Sequence, residues 1–272
     1  MISNILSNSF LLTALIASFL ASIASAITGS FIVIKRISSI SGSIAHSVLG
    51  GIGLFIYLKY TFNISWLNPS FGAFLAGILA SIVIGHIHLN YKQREDALLA
   101  TIWSFGMAIG VIFLSLTPSY KGEITNFLFG NLLWVSKSHL LFLLVFTLLI
   151  ILITSYYYNR FLAICFDEEG AYLQGLRVKY LYFLLLGLIS IAIVILINII
   201  GIILVICLLT IPPTIAKKFT NNFFKIICLS CVFAIFFNFS GIFISYFLNW
   251  PPGATIAIVT TCFYMFSLLK KN

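Results

Sequence analysis

Few side chains in this 272-residue sequence could hold a metal ion or move a proton, and most of them border long apolar runs. His46 stands out. It follows the small, polar stretch Ser38-Ser39-Ile40-Ser41-Gly42-Ser43 and enters an apolar segment carrying Gly50, Gly51 and Gly53. An imidazole inside a membrane helix should face protein or a water-filled route, where it can hydrogen-bond or bind a borderline cation. Ser43 and Ser47 lie within a turn of it and could add oxygen contacts, while a satisfied packing histidine accounts for the same residue. His86 and His88 are two positions apart, so one helical face cannot hold both side by side, and they read as interfacial. His139 opens an apolar run at its outer end, where it could meet an arriving ligand or simply sit at the interface. Cys228-x-x-Cys231 has metal-ligand spacing, but without a second pair or a nearby histidine it reads as packing.

The acids number six, and half of them are consecutive: Asp167-Glu168-Glu169. They open the segment Phe166-Asp167-Glu168-Glu169-Gly170-Ala171-Tyr172-Leu173-Gln174-Gly175-Leu176. A short amphipathic helix is expected over 167–174, closed by Gly175 at its C-terminus. Ala171, Tyr172 and Leu176 could press into a groove while the acids address basic groups on a partner; a solvated linker explains the segment equally well. Arg94-Glu95-Asp96 places two more acids at a helix start, where the free amides favour negative charge. Asp96 can cap that helix and Arg94 can neutralise a carboxylate, with a cation relay as the alternative.

The elements that must position these residues follow from composition. The chain is 61% apolar and 8% charged, whereas a soluble domain carries about 25% charged residues. Such a chain cannot cover a water-exposed surface, so its apolar excess faces lipid. Each crossing needs about 20 residues. The runs are too long and too poorly alternating for barrel strands. An all-α, polytopic integral membrane protein of about nine crossings is expected, forming one membrane domain over 1–272. The first run begins at Phe10 and continues to Ile34 before Lys35-Arg36; no basic residue precedes it, so it reads as a retained helix and not a cleaved signal. Further crossings are expected over 43–60, 70–89, 96–116, 139–158, 180–198, 200–216, 223–247 and 252–269. The glycines weaken the second, and Pro212-Pro213 could break the seventh. An outer connection runs from Pro118 to Ser138. A polar inside loop spans 159–179, and a very tight turn is expected near Asn198 and Gly201.

Charge fixes the orientation. Twelve of the fifteen basic residues fall on one side if the N-terminus is outside and the C-terminus inside: Lys35, Arg36, Lys92, Arg94, Arg160, Arg177, Lys179, Lys217, Lys218, Lys225, Lys270 and Lys271. Only Lys59, Lys121 and Lys137 lie outside. The net charge of +9 is thus a positive-inside bias and not a nucleic-acid footprint. No GxxxxGK[ST] phosphate loop occurs, so ATP is not hydrolysed by that route in this chain. Small residues line close-approach faces: Ser18, Ser22, Ser25 and Gly29 in the first helix, Gly72, Ala76 and Ala80 in the third, Gly106 and Gly110 in the fourth.

The order of segments resembles the membrane permeases of bacterial ABC transporters for zinc, manganese or iron(II). Val33-Ile34-Lys35-Arg36 looks like that family's end of the first helix. Ser41-Gly42-Ser43-Ile44-Ala45-His46-Ser47 resembles its Gly-Asp-Ala-Leu-Ser-His-Ala signature, with Gly42 in place of the aspartate. Arg94-Glu95-Asp96-Ala97, Trp103 through Gly110, Leu128-Phe129-Gly130-Asn131-Leu132-Leu133 with Val135-Ser136, and the segment from Phe166 to Leu176 continue the match. So do Gly201-Ile202-Ile203-Leu204-Val205, Ile211-Pro212-Pro213-Thr214-Ile215-Ala216 and Pro252-Gly253-Ala254-Thr255.

The resemblance implies an ABC importer permease fold in the bacterial inner membrane, working as a homodimer and not itself an enzyme. It implies a cytoplasmic ATPase subunit that consumes the ATP, and a periplasmic or surface-anchored metal-binding protein as donor. No cofactor is bound stably; the cargo is a divalent metal, zinc first, with manganese or iron(II) as the others. His46 would be a transient path contact. Asp167, Glu168, Glu169, Gly170, Ala171, Tyr172, Gln174 and Gly175 would couple to the ATPase. An ion-coupled secondary metal transporter is the alternative; it would need an intramembrane carboxylate, and no acid falls mid-helix.

Overall fold

The structure, a computed structural model, describes residues 9–64, 66–90, 95–118, 120–130, 132 and 135–269. These form eleven helices: α1 Ser9–Ile34, α2 Ser38–Phe62, α3 Pro69–Asn90, α4 Glu95–Ser115, α5 Tyr120–Phe129, α6 Lys137–Phe166, α7 Glu168–Leu173, α8 Val178–Ile200, α9 Ile202–Phe219, α10 Phe223–Leu248 and α11 Pro252–Leu269. Nine, all but α5 and α7, are long and apolar enough to cross a membrane. In hydrocarbon every backbone N–H and C=O must be bonded internally, and a helix does so within one segment.

Two compact units result. One comprises Ile34–Phe127 and Tyr157–Ile195; the other comprises Met1–Val33, Leu128–Tyr156 and Leu196–Asn272. In the first, α2 packs on both α3 and α4. The glycines that made α2 look weak in sequence are its contact faces. A Cβ on Gly50 would lie 3.0 Å from the Gly106 carbonyl oxygen, and one on Gly53 would lie 2.6 Å from that of Gly110. On the other side of α2, a Cβ on Gly51 would run into the Gly72 carbonyl. α2 therefore runs unbroken because its glycines let two backbones approach it, the small-residue packing of membrane helices.

In the second unit α9, α10 and α11 pack together, and α1 joins them through two polar or small contacts. Asn238 Nδ2, on α10 and buried, donates to Ser22 Oγ at 2.7 Å. Gly29 lies so close to α9 that a Cβ there would collide with the Leu209 carbonyl oxygen. That carbonyl is one of two whose helical donors are missing, because residues 212 and 213 are both prolines without an N–H. The crossing expected over 200–216 is not broken at Pro212-Pro213: α9 continues through both prolines to Phe219. The glycine face of α1 covers the exposed carbonyl with C–H groups, a weak contact but better than hydrocarbon. The tight turn between α8 and α9 is Gly201 alone, at φ 78°, a conformation that glycine adopts without steric penalty.

Two boundaries differ from expectation. α6 runs to Phe166, so the first third of the polar loop expected over 159–179 is helix. Phe161 and Ile164 are fully buried and continue the apolar stripe of the crossing, while Asn159 and Arg160 occupy its exposed side. The connection expected outside, over 118–138, contains the ten-residue helix α5, which hydropathy does not reveal. Lys92, Arg94, Asn131, Leu133, Lys270 and Lys271, which carried parts of the charge and motif arguments, lie outside the described residues.

Candidate functional site

His46 sits on α2 with its imidazole stacked on the indole of Trp103 from α4, centroids 4.2 Å apart and planes 10° from parallel. Its Nδ1 is buried and has no hydrogen-bond partner. A Cβ on Gly42, one turn earlier, would lie 3.6 Å from Trp103 Cζ3. The indole thus covers the ground in front of both positions. Trp103 is itself 40% exposed, and its Nε1 donates to the sulfur of Met107 at 3.1 Å. The neighbouring hydroxyls are engaged: Ser43 Oγ donates to the Leu99 carbonyl at 2.9 Å, tying α2 to α4, and Ser47 Oγ donates to the Ser43 carbonyl at 2.7 Å. Among the described residues no three His, Cys, Asp or Glu side chains gather where they could hold a metal ion. At His46 the structure shows one buried imidazole nitrogen without a hydrogen-bond partner, its ring face covered by an indole.

The second feature is α7. Asp167 is its N-cap, in extended conformation, and its carboxylate accepts from the Gly170 amide at 2.9 Å. Glu168 and Glu169 fill the first turn, where the helix dipole favours them. The C-terminus closes as a Schellman motif: the Leu176 amide donates to the Ala171 carbonyl at 3.1 Å and the Gly175 amide to that of Tyr172 at 2.9 Å. Gly175 is left-handed, at φ 81°, and Gln174 is the C-cap. The short helix expected over 167–174 is therefore present, capped at both ends by the residues that suggested it.

Its faces are not arranged as the sequence suggested. Ala171 is buried, but Tyr172 and Leu173 are 72% and 84% exposed. Beside them lies a groove of about 1060 Å³, lined by Leu89, Glu169, Tyr172, Leu176, Lys179 and Tyr180 among others. Glu168 turns inward. Its Oε1 lies 2.5 Å from Lys35 Nζ and 3.3 Å from His88 Nε2. Lys35, with a side chain only 7% exposed, also donates to the Ile164 carbonyl at the end of α6. The buried Tyr182 of α8 backs this cluster: His88 stacks on its ring at 4.6 Å, and the Lys35 ammonium stands 5.1 Å from its centroid. The His88 imidazole and the Lys35 ammonium hold the Glu168 carboxyl at about 2, below its ordinary 4.5, against burial that would raise it.

The remaining candidates are simpler. His86 is exposed and has Asn90 Nδ2 3.1 Å from its Nε2, on a different side of α3 from His88. His139 lies in the first turn of α6, where its Nδ1 is 2.8 Å from Ser136 Oγ. Cys228 and Cys231 are free thiols. α4 begins at Glu95, which puts Glu95 and Asp96 in its first turn. The sequence missed Lys35 and His88 as partners of Glu168: Lys35 looked like a boundary charge, and nothing in linear spacing brings residues 35, 88 and 168 together.

Comparison with known proteins agrees with this architecture. The chain is 45% identical over 276 residues to "Probable metal transport system membrane protein" of Chlamydia pneumoniae, an alignment covering 100% of this chain and 94% of that one. It is 31% identical over 261 residues to the manganese transport system membrane protein MntC of Listeria monocytogenes, covering 96% and 90%. Among solved structures, PsaBC from Streptococcus pneumoniae in complex with Fab is similar with a TM-score of 0.85 and 27% identity, covering 98% of this chain and 93% of that chain. A model of the ABC 3 transport family matches residues 7–271. This multi-pass membrane chain, with nine apolar helices among its described residues, belongs to the ABC 3 transport family.

Proposed function

We propose that this chain is the permease subunit of an ATP-driven importer of a divalent transition metal. It works as one domain over 1–272, as a homodimer, with its N-terminus outside and its C-terminus inside. Manganese is the first candidate, because the Listeria relatives are named for it; zinc and iron(II) use overlapping nitrogen ligands and are the comparators. His46 is a transient contact on the metal's route. A separate ATPase engages α7 from the cytoplasmic side through Glu169, Tyr172 and Leu173, and a metal-binding protein delivers cargo from outside. The observation that carries the ATPase contact is the exposure of Tyr172 and Leu173 on a rigidly capped helix beside an open groove. Large apolar side chains at 72% and 84% exposure on a polar loop mark an interaction surface.

The test is metal uptake by vesicles holding this chain with its cognate ATPase and binding protein, comparing Mn²⁺, Zn²⁺ and Fe²⁺. ATP-dependent accumulation of Mn²⁺ above the others is the expected result. Accumulation without ATP, driven by a proton or sodium gradient, would replace this reading with secondary transport.

A further inference from the structure

We infer that Glu168 is a positioning residue that ties α7 to the membrane helices, so that movement of α7 is transmitted through Lys35 and His88 to α2 and α3. The inference rests on the proposed engagement of α7 by an ATPase and adds how the movement leaves α7.

A docking surface on a six-residue helix can move a bundle only if the helix is held to it. The covalent connections of α7 are a single residue, Asp167, on the α6 side and the four residues 174–177, with Gly175 left-handed, on the α8 side. A chain held only at such turns can swing. Alongside buried Ala171, the Glu168 side chain fastens α7 to the rest of its unit through two partners. Each partner belongs to a different element. Lys35 is in the turn between α1 and α2, three residues before α2 begins, and His88 is in the last turn of α3. Lys35 also binds the Ile164 carbonyl at the C-terminal end of α6, so one ammonium joins the helix before α7 to α7 itself. Fully packed Tyr182 fixes the depth of both the Lys35 ammonium and the His88 imidazole. A tether made of charged, directional hydrogen bonds resists pulling as well as pushing, which an apolar contact such as Ala171 does poorly.

The destination of the movement is the α2–α3–α4 contact, where the glycine faces allow little slack. α2 is also the helix that carries His46. A pull on Lys35 therefore arrives at the root of the helix holding the proposed metal contact. Rigid elements with close packing pass displacement on where loose ones absorb it.

The experiment uses the assembled permease–ATPase complex in vesicles with Mn²⁺. It measures three quantities: ATP hydrolysis, Mn²⁺ imported per ATP, and crosslinking of the ATPase to a cysteine replacing Leu173. Glu168→Gln and Lys35→Met, separately, should lower Mn²⁺ per ATP by about fivefold or more, the size of a typical coupling free energy, while crosslinking persists. The double variant should lose no more than the worse single one, since both break one link. Lys35→Arg should retain most of the coupling. Unchanged Mn²⁺ per ATP in both single variants, with crosslinking intact, overturns the tether. So does an additive loss in the double variant. If the wild-type chain carrying the Leu173→Cys substitution fails to crosslink within an assembled, transporting complex, the ATPase contact itself is wrong and this inference falls with it.

Discussion

At the residue scale, two polar groups carry the function proposed here, and they differ in how much of them the sequence could disclose. His46 was legible because a single imidazole after a serine-rich stretch has few places to hide in a membrane helix. What the sequence could not give is the indole of Trp103 lying over it, 57 residues on and from another helix. His46→Leu should lower metal uptake by at least about tenfold, as losses in a metal's ligand environment do, with assembly unchanged on size-exclusion chromatography. Normal Mn²⁺, Zn²⁺ and Fe²⁺ uptake by that variant would remove His46 from the route. Glu168 was legible only as one of three acids, and sequence reasoning aimed all three at a partner. Its actual neighbours are set by tertiary packing of three elements. Because its carboxyl is held at about 2 in the fold, below 4.5, its charge stabilises the fold fully above about pH 4.5, and that contribution is lost as pH falls through 2. The purified protein should therefore keep a thermal-stability advantage over Glu168→Gln at pH 5 and above. Below about pH 4.5 the advantage should shrink; one that grew between pH 4.5 and 2 would contradict the pairing.

At the element scale, the helices were readable from apolar run length, and their ends were less so. The end of α6 was missed because Asn159 and Arg160 look like a loop, although Phe161 and Ile164 keep the buried stripe going. α5 was missed because a ten-residue helix leaves no hydropathy signature. Glycine was misjudged in α2, where it seemed to interrupt and in fact admits two neighbours. Gly51→Leu should thus be among the most damaging single changes in the chain, costing more than the 1–3 kcal/mol of ordinary overpacking, since the obstruction is backbone. Loss of folded protein in detergent, read by thermal aggregation, is the measurement. Gly29→Val should act likewise at the α1–α9 contact. Gly175→Val is a different case: nothing lies within 4 Å of its Cβ position, so the cost is only the left-handed φ. About 1–2 kcal/mol of local strain is expected, seen as reduced docking of the ATPase with normal membrane insertion.

At the scale of the whole molecule, the nine apolar helices among the described residues and the family followed from composition and motif order, and charge predicts the orientation. The N-terminus should be labelled from outside intact cells and the C-terminus only after permeabilisation. Equal accessibility of both termini would sink the odd number of crossings on which the cytoplasmic placement of α7 depends. The division into two units is not written in hydropathy at all, since every crossing looks alike to a sliding window. It arises from which small-residue faces meet: Gly50, Gly51 and Gly53 on α2 in one unit, Gly29 and Ser22 on α1 in the other.

The 30 residues of α6 have one more consequence. At about 1.5 Å per residue the helix is about 45 Å long, half as long again as a hydrocarbon core of about 30 Å. Tyr156, 74% exposed, is the first of three successive tyrosines, the kind of residue that anchors at the headgroup level. The ten residues that follow must then stand clear of the lipid as a stalk or force the helix to lean. The height at which α7 stands above the bilayer should thus depend partly on the acyl-chain length of the surrounding lipid. Transport in vesicles of C14, C18 and C22 phosphatidylcholines should peak at one thickness and fall on either side, while a bilayer-indifferent rate would show that α6 accommodates the mismatch by tilting alone.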